Sequence, residues 1–258
     1  MKKILIFEGI EGSGKTTLID AFIKKVLKIN SNESILSLTN PINKVYKDEI
    51  EKILKGDHDD VQSLITLGNL FTADKIQAFH EKGILRNADE NIIILDRFLD
   101  SYEVYNKEYV DKNTFNYVYD YAYTNLIRMN RYIYHIYVRV EPDIANKRLS
   151  ERTNKEIFDD DFNQMRNATL FDNIFTKRIS SAFNDIINTM NLSIPEKESY
   201  YRGKSMFVNN ISFFSLINSY KHNNMLIHPI STKERCIVVD NTGDISTIVD
   251  KLIEFIIG

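Results

Sequence analysis

Ile4 to Phe7 form a short apolar run that stops at Glu8-Gly9, and from Thr16 onward the apolar residues recur as Ile19, Phe22, Ile23, Val26 and Leu27, the spacing of one helix face. The pattern predicts strand, glycine loop, helix. A second run, Ile35 to Leu38, ends at Asn40-Pro41, where the proline lacks a backbone donor and marks the exit from a strand. Helical patterning is predicted from about Lys44 to Lys82. Ile92, Ile93, Ile94 and Leu95 are continuously apolar, as in a strand buried on both faces of a parallel sheet, and Asp96 follows at its carboxyl end. A helix is expected over about Thr114 to Met129 and a strand over Tyr132 to Val138; Pro142 suits the first turn of a helix carrying Arg148 and Arg152. Ile237 to Val239 read as the last strand. Ile245, Ile248, Val249, Leu252, Ile253, Ile256 and Ile257 then outline an amphipathic closing helix.

Strands alternating with helices at this spacing predict an α/β fold, a parallel five-stranded sheet with helices on both faces. The stretch from about 191 to 235 breaks the rhythm. It is polar and contains Ser199-Tyr200-Tyr201-Arg202-Gly203-Lys204, so it reads as a partly irregular insert before the last strand. With 258 residues and 43% hydrophobic positions, the chain suits one domain spanning 1–258 with that elaboration.

Charge and cysteine usage narrow the partners. A formal net charge of −3 gives no basic excess for sequence-independent nucleic-acid binding, so no nucleic acid is expected. The lone Cys236 cannot form an internal disulfide, and Met1-Lys2-Lys3 runs straight into the first apolar stretch without a signal-peptide pattern, which predicts a cytoplasmic setting. No run of about 18 apolar residues predicts a membrane span, and the sequons at Asn167, Asn191 and Asn210 carry no expectation of glycosylation.

Gly9-Ile10-Glu11-Gly12-Ser13-Gly14-Lys15-Thr16 fits G-x-x-x-x-G-K-[ST] at every position, between a predicted strand and a predicted helix. At a glycine frequency of about 7%, chance would place this pattern in roughly one chain of this length in a hundred; the required flanks make it rarer still. Such glycines let successive N–H groups turn toward phosphate oxygens, and the helix start adds its positive dipole end. Lys15 is expected to reach the β- and γ-phosphates of ATP, with Thr17 completing the loop, and the Thr16 hydroxyl to bind Mg²⁺. Asp96, an acid directly after an apolar strand, is the matching candidate for that metal. A guanine-reading Asn-Lys-x-Asp is missing: Asn43-Lys44 continues with Val45-Tyr46, and Asn154-Lys155 with Glu156-Ile157. Kinases of nucleotides, nucleosides or small metabolites remain.

Three motifs, Phe7-Glu-Gly-Ile-Glu-Gly-Ser-Gly-Lys-Thr-Thr17, Leu70-Phe-Thr-Ala-Asp-Lys75 and Asp96-Arg-Phe-Leu-Asp-Ser-Tyr-Glu-Val-Tyr105, resemble in order and spacing those of the thymidylate kinase family, a group of P-loop nucleoside monophosphate kinases. The similarity covers roughly residues 1–160 and resumes at Cys236, where Val238-Val239-Asp240 resembles the family's final strand. It implies that Arg97 grips the acceptor phosphate and that Phe71 stacks on the acceptor base. Lys75 stands where the family has a base-binding arginine. Glu11 takes the acidic loop position near the acceptor sugar, Tyr105 closes around the deoxyribose, and Ser101 and Tyr102 lie near the base or acceptor phosphate; Tyr102 is bulkier than its usual counterpart.

A mobile lid is implied over about 148–162, with Arg148, Arg152 and Lys155 delivering positive charge. Gly12, where other members carry arginine, resembles the subgroup that keeps its catalytic arginine in the lid. Two departures stand out. The family's lid element Asp-Arg-Phe/Tyr-Glu reads Glu156-Ile157-Phe158-Asp159 here, Phe158 keeping its place near the substrate. The family's Arg-Glu-Pro reads Thr39-Asn40-Pro41. The expected reaction is transfer of the ATP γ-phosphoryl to a deoxynucleoside monophosphate, foremost dTMP, by a homodimer. Alternatives are a deoxynucleoside kinase, whose acceptor hydroxyl benefits from a general base that Asn40 cannot supply but Asp96 or Asp100 could, and a catalytically silent nucleotide-binding protein of the same fold.

Overall fold

A computed structural model of the chain describes residues 1–55, 60–153, 161–189, 225–229 and 233–258. They cluster into two compact units, Met1–Glu8 with Val26–Ile133, and Gly9–Lys25 with Tyr134–Gly258.

In the first unit, β1 (Lys3–Glu8), β2 (Ile35–Thr39) and β3 (Ile92–Asp96) lie in the order β2-β3-β1 and pair in parallel. Ile4 sits opposite Ile93, and Asp96 opposite both Phe7 and Thr39, so the acid falls at the carboxyl ends of all three strands. Every residue of the central β3 is buried, which explains its unbroken apolar run. Ile4, Ile6, Ile93 and Leu95 share a core with Ala78, Phe79, Phe98, Leu99, Ala122 and Leu126 from the helical layer. That layer comprises α2 (Lys44–Lys55), α3 (Val61–Ala78), α4 (Leu99–Asn106) and α5 (Lys112–Arg128).

The helical pattern expected from Lys44 to Lys82 is thus two helices. Asp60 caps the second, its carboxylate accepting from Ser63 N at 3.0 Å. Asp111 caps α5 in the same way, accepting from Asn113 N and Thr114 N.

The second unit opens with the glycine loop and the first part of α1 (Lys15–Ile29), and continues through β4 (Tyr132–Arg139), α6 (Pro142–Thr153), α7 (Asp161–Thr189), β5 (Met225–Pro229), β6 (Glu234–Asp240) and α8 (Ile245–Ile256). Its strands take the order β4-β6-β5. Pro142 occupies the first position of α6, where its missing N–H is harmless. The closing helix matches the pattern read from its sequence: Ile248, Val249, Leu252 and Ile256 are buried, and Asp244 caps it by accepting from Thr247 N at 2.8 Å. No element is predicted above for residues 163–189, yet they fall within α7, a helix of 29 residues from Asp161 to Thr189.

The chain is therefore α/β, with the five parallel strands expected, β1 to β4 and β6. A sixth strand, β5, pairs antiparallel with β6, Ile227 opposite Ile237. It falls inside the stretch read as an insert. The remainder of that stretch, 191–224 with Ser199 to Lys204, Asn191 and Asn210, and 230–232, lies outside the described residues. Cys236 is buried, and among the described residues no helix is long and apolar enough to cross a membrane.

Candidate active site

The glycine loop owes its shape to three backbone angles that only glycine adopts without strain: φ is 145° at Gly9, 71° at Gly12 and 86° at Gly14. Close packing imposes the same choice. A Cβ at Gly9 would stand 2.5 Å from Val138 O, at Gly12 2.4 Å from Ala145 O, and at Gly14 2.4 Å from Asn241 Nδ2. Inside the loop the Lys15 ammonium donates to Gly9 O at 2.9 Å, Ile10 O at 2.7 Å and Ser13 Oγ at 3.2 Å. Glu11, Thr16 and Thr17 are exposed.

Two residues brace the loop from α6 and from the turn after β6. Arg148 donates to Gly12 O at 3.5 Å, Ser13 O at 3.4 Å and Asn241 O at 2.8 Å. Asn241, 2% exposed, donates to Ser13 O at 2.6 Å, and its Oδ1 is buried without a partner among the described residues. Arg148 is thus half-buried against the loop's carbonyls, where the sequence suggested a mobile lid cation. Arg152 lies on α6 with its side chain outside the described residues, as do Lys155 and Phe158 entirely.

Farther along β4, the Tyr137 ring stacks on Phe175 at 4.7 Å and its hydroxyl donates to Asp172 Oδ1 at 2.8 Å. Burial pushes the Asp172 carboxyl up to about 6, against the pull of the Tyr137 hydroxyl and of Arg139, whose Nε stands 3.6 Å away.

In the first unit the Asp96-Arg97 step ends β3. Asp96 is 7% exposed, and its carbonyl accepts from Asn40 N at 3.0 Å. Arg97 has φ 69°, a conformation L side chains rarely adopt. Its guanidinium lies 5.2 Å from the Tyr105 ring centre and donates to Ser101 Oγ and Tyr105 Oη, each at 3.4 Å. Three expected acceptor residues, Arg97, Ser101 and Tyr105, are therefore gathered by α4.

Phe71 and Lys75 project from α3. Phe71 is partly buried against Tyr102, Val110, Phe115 and Val118. Lys75 is fully buried, 5.9 Å from the Phe71 ring centre and 5.6 Å from that of Phe98. Burial pulls its pKa down, while Asp74 and Glu8 hold it up. Its ammonium donates to Asn40 Oδ1. The two departures from the family motifs, Asn40 and Lys75, thus touch each other. Asp74 fixes the adjoining turn by accepting from Ile42 N at 3.0 Å and Asn43 N at 2.8 Å. Tyr102 is fully buried, stacked on Phe115 at 5.0 Å, with its hydroxyl 2.7 Å from Thr72 Oγ1. It packs the wall behind Phe71.

Glu8 has no role assigned from the sequence. It is fully buried, and its carboxylate accepts from Phe98 N at 2.7 Å, Asp100 N at 3.2 Å and the Ser101 hydroxyl. Burial first, then the nearby Asp100, raises its pKa to about 7, against hydrogen bonds from Ser101 and Phe98 and the charge of Arg97. An acid closing an otherwise apolar strand was the available signal for Glu8; for Asn241 it was a polar residue directly after the last strand.

A strand, a glycine loop of this geometry with its lysine, and a following helix, on a parallel α/β sheet, define a P-loop nucleotide-binding protein. The family model for thymidylate kinase matches residues 7–191, and the chain belongs to the thymidylate kinase family. It is 31% identical over 163 residues to a probable thymidylate kinase of Sulfolobus acidocaldarius, covering 61% of this chain and 74% of that protein. It is 29% identical over 203 residues to a probable thymidylate kinase of Methanococcus aeolicus, 76% of this chain and 92% of the relative. A thymidylate kinase of Mycoplasmoides gallisepticum aligns over 221 residues at 28% identity, 77% of this chain and 99% of the relative. The chain is accordingly a kinase that transfers a phosphoryl group to a nucleoside monophosphate.

Proposed function

We propose that the chain transfers the γ-phosphoryl group of ATP to the 5′-phosphate of dTMP, giving ADP and dTDP, and that it does so as a cytoplasmic homodimer. The observation that carries this reading is the glycine loop, whose three positive φ values and closed-in glycines set the Lys15 ammonium inside a turn of the kind that cradles a polyphosphate. On binding ATP, phosphate oxygens replace the carbonyls now holding the Lys15 ammonium. The loop amides and the dipole of α1 add to its charge. Phosphoryl transfer of this kind passes through a loose transition state, so positioning and charge stabilisation are the chain's main tasks.

Arg97 holds the acceptor phosphate with its planar fork, kept in place by Ser101 and Tyr105. Phe71 stacks on the base, with Tyr102 packing behind it. Lys75, engaged with Asn40, sets the polar edge of the base site, and Tyr105 limits room at the sugar. Glu11, exposed on the loop, stays available to the acceptor sugar. Arg148 acts through the loop it braces, and Arg152 serves as the lid cation.

Mg²⁺ suits the residues present. Thr16 and Asp96 are hard oxygen donors, the kind this ion takes together with waters and phosphate oxygens. Thr16 and Asp96 would hold it, and its chemistry there is neutralisation of phosphate charge.

One panel tests the proposal: ADP formation from ATP with dTMP, dUMP, dCMP, dGMP, dAMP, thymidine and deoxyguanosine, for the wild type and Lys15→Ala. Turnover greatest with dTMP and abolished in a folded Lys15→Ala variant is the expected result. Phosphorylation of thymidine but not dTMP would make the chain a nucleoside kinase, and ATP binding without turnover on any acceptor would make it a silent nucleotide-binding protein.

A further inference from the structure

We infer that Glu8 is a positioning residue for the acceptor phosphate: its carboxylate fixes the turn that carries Arg97 and, through the Ser101 hydroxyl, the direction of the Arg97 guanidinium. This role rests on Arg97 gripping that phosphate, as proposed above.

Arg97 at φ 69° occupies a conformation that is strained for a non-glycine residue and persists only where its surroundings over-determine it. One restraint is its own N–H, which donates to Phe7 O at 2.9 Å. The others converge on Glu8. Phe98, the residue before α4, offers no side-chain cap, so the first N–H groups of that buried helix need an acceptor from elsewhere in the chain. Glu8 Oε1 takes two of them, from Phe98 and Asp100. Arg97 is thereby held on both sides, by Phe7 before the turn and Glu8 after it.

The second carboxylate oxygen sets the side chain. The Ser101 hydroxyl directs its proton to Glu8 Oε2, which leaves its lone pairs for Arg97 Nη1 at 3.4 Å. With the Tyr105 hydroxyl and ring, this gives the guanidinium a fixed orientation before any substrate arrives. Keeping a carboxylate there is costly, as its raised pKa records, and an apolar side chain would fill the end of β1 without that cost. What an apolar residue cannot do is accept three donors at once. Glutamine keeps one acceptor for the helix start but turns an N–H₂ toward Ser101, so that two donors compete for one hydroxyl oxygen.

The test is steady-state kinetics at pH 8, with dTMP and ATP varied separately and thermal melts alongside, for wild type, Glu8→Gln, Ser101→Ala and Arg97→Ala. Glu8→Gln and Ser101→Ala are expected to raise KM for dTMP about five- to tenfold while leaving KM for ATP within about twofold. Glu8→Gln should melt at or above the wild-type temperature, because a buried charge has gone. Arg97→Ala should raise KM for dTMP further. Wild-type KM for dTMP in Glu8→Gln and Ser101→Ala, alongside a large effect of Arg97→Ala, would overturn the role of Glu8 and leave the acceptor reading standing. Equal rises in both KM values with lowered melting temperatures would also overturn it, reducing Glu8 to a structural acid. An unchanged KM for dTMP in Arg97→Ala would bring down the acceptor reading itself.

Discussion

Replacing Gly12 with alanine adds one methyl group at the tightest point of the phosphate loop. At φ 71° the backbone sits in the left-handed region, which costs alanine about 1–2 kcal/mol. The new Cβ would lie 2.4 Å from Ala145 O, 2.9 Å from its carbonyl carbon and 3.0 Å from its Cα. These are backbone atoms of α6, so no side chain can swing aside. Reaching ordinary contact of about 3.5 Å requires the loop or the helix to move by roughly 1 Å. Overpacking of that kind adds about 1–3 kcal/mol, for a total on the order of 3 kcal/mol. Thermal melts should fall by about 6–12 °C for a chain of this size. A loop displaced by about 1 Å should also weaken ATP at least tenfold, because its amides no longer converge on the phosphates. Differential scanning fluorimetry and titration with a non-hydrolysable ATP analogue measure both effects. A Gly12→Ala variant melting within about 2 °C of wild type and binding the analogue equally well would refute the packing argument.

The pH dependence of stability follows from Asp172. Its folded pKa of about 6 lies above the ordinary aspartate value of about 3.9, so the folded state disfavours the charged form. Its contribution is fully favourable below about pH 4 and is lost as pH rises through about 6, a change on the order of 3 kcal/mol. Denaturant melts at pH 4.5 and 8 should therefore show a steeper pH loss for the wild type than for Asp172→Asn; parallel slopes would contradict the assignment. Tyr102→Phe removes the 2.7 Å hydroxyl contact to Thr72 but keeps the stack on Phe115. It should cost about 1 kcal/mol of stability, read by urea unfolding, with little change in ATP binding. Asn241→Ala deletes the 2.6 Å brace to Ser13 O and should raise KM for ATP several-fold while KM for dTMP stays near wild type. Kinetics with each substrate varied in turn decide the last.

Much of the fold was written in local pattern. The unbroken Ile92 to Leu95 run could only be a strand covered on both faces, and the Ile245 to Ile257 periodicity left one face for α8 to bury. The phosphate loop was legible at each residue, because glycines at positive φ beside a lysine and a threonine answer to backbone geometry within a single turn. Less was visible where a partner is distant in sequence. α4 has neither a cap of its own nor a clean apolar period; its start is held by Glu8, about ninety residues earlier. The helical patterning from about Lys44 to Lys82 did not show where one helix starts anew, because hydrophobic spacing does not mark the capped start of α3 at Asp60.

The sequence alone therefore determined the glycine loop with its lysine and the acid at the end of a parallel strand, since those features depend on residues adjacent in the chain. Tertiary structure decided how the candidate residues are held: Arg148 against the loop carbonyls, Tyr102 inside a hydrophobic cluster, Lys75 against Asn40, and Arg97 fixed by Glu8. The physical reason is that a side chain's burial and its hydrogen-bond partners are set by whatever the folded backbone brings alongside it. Residues tens of positions away supply those partners, and no local pattern encodes them.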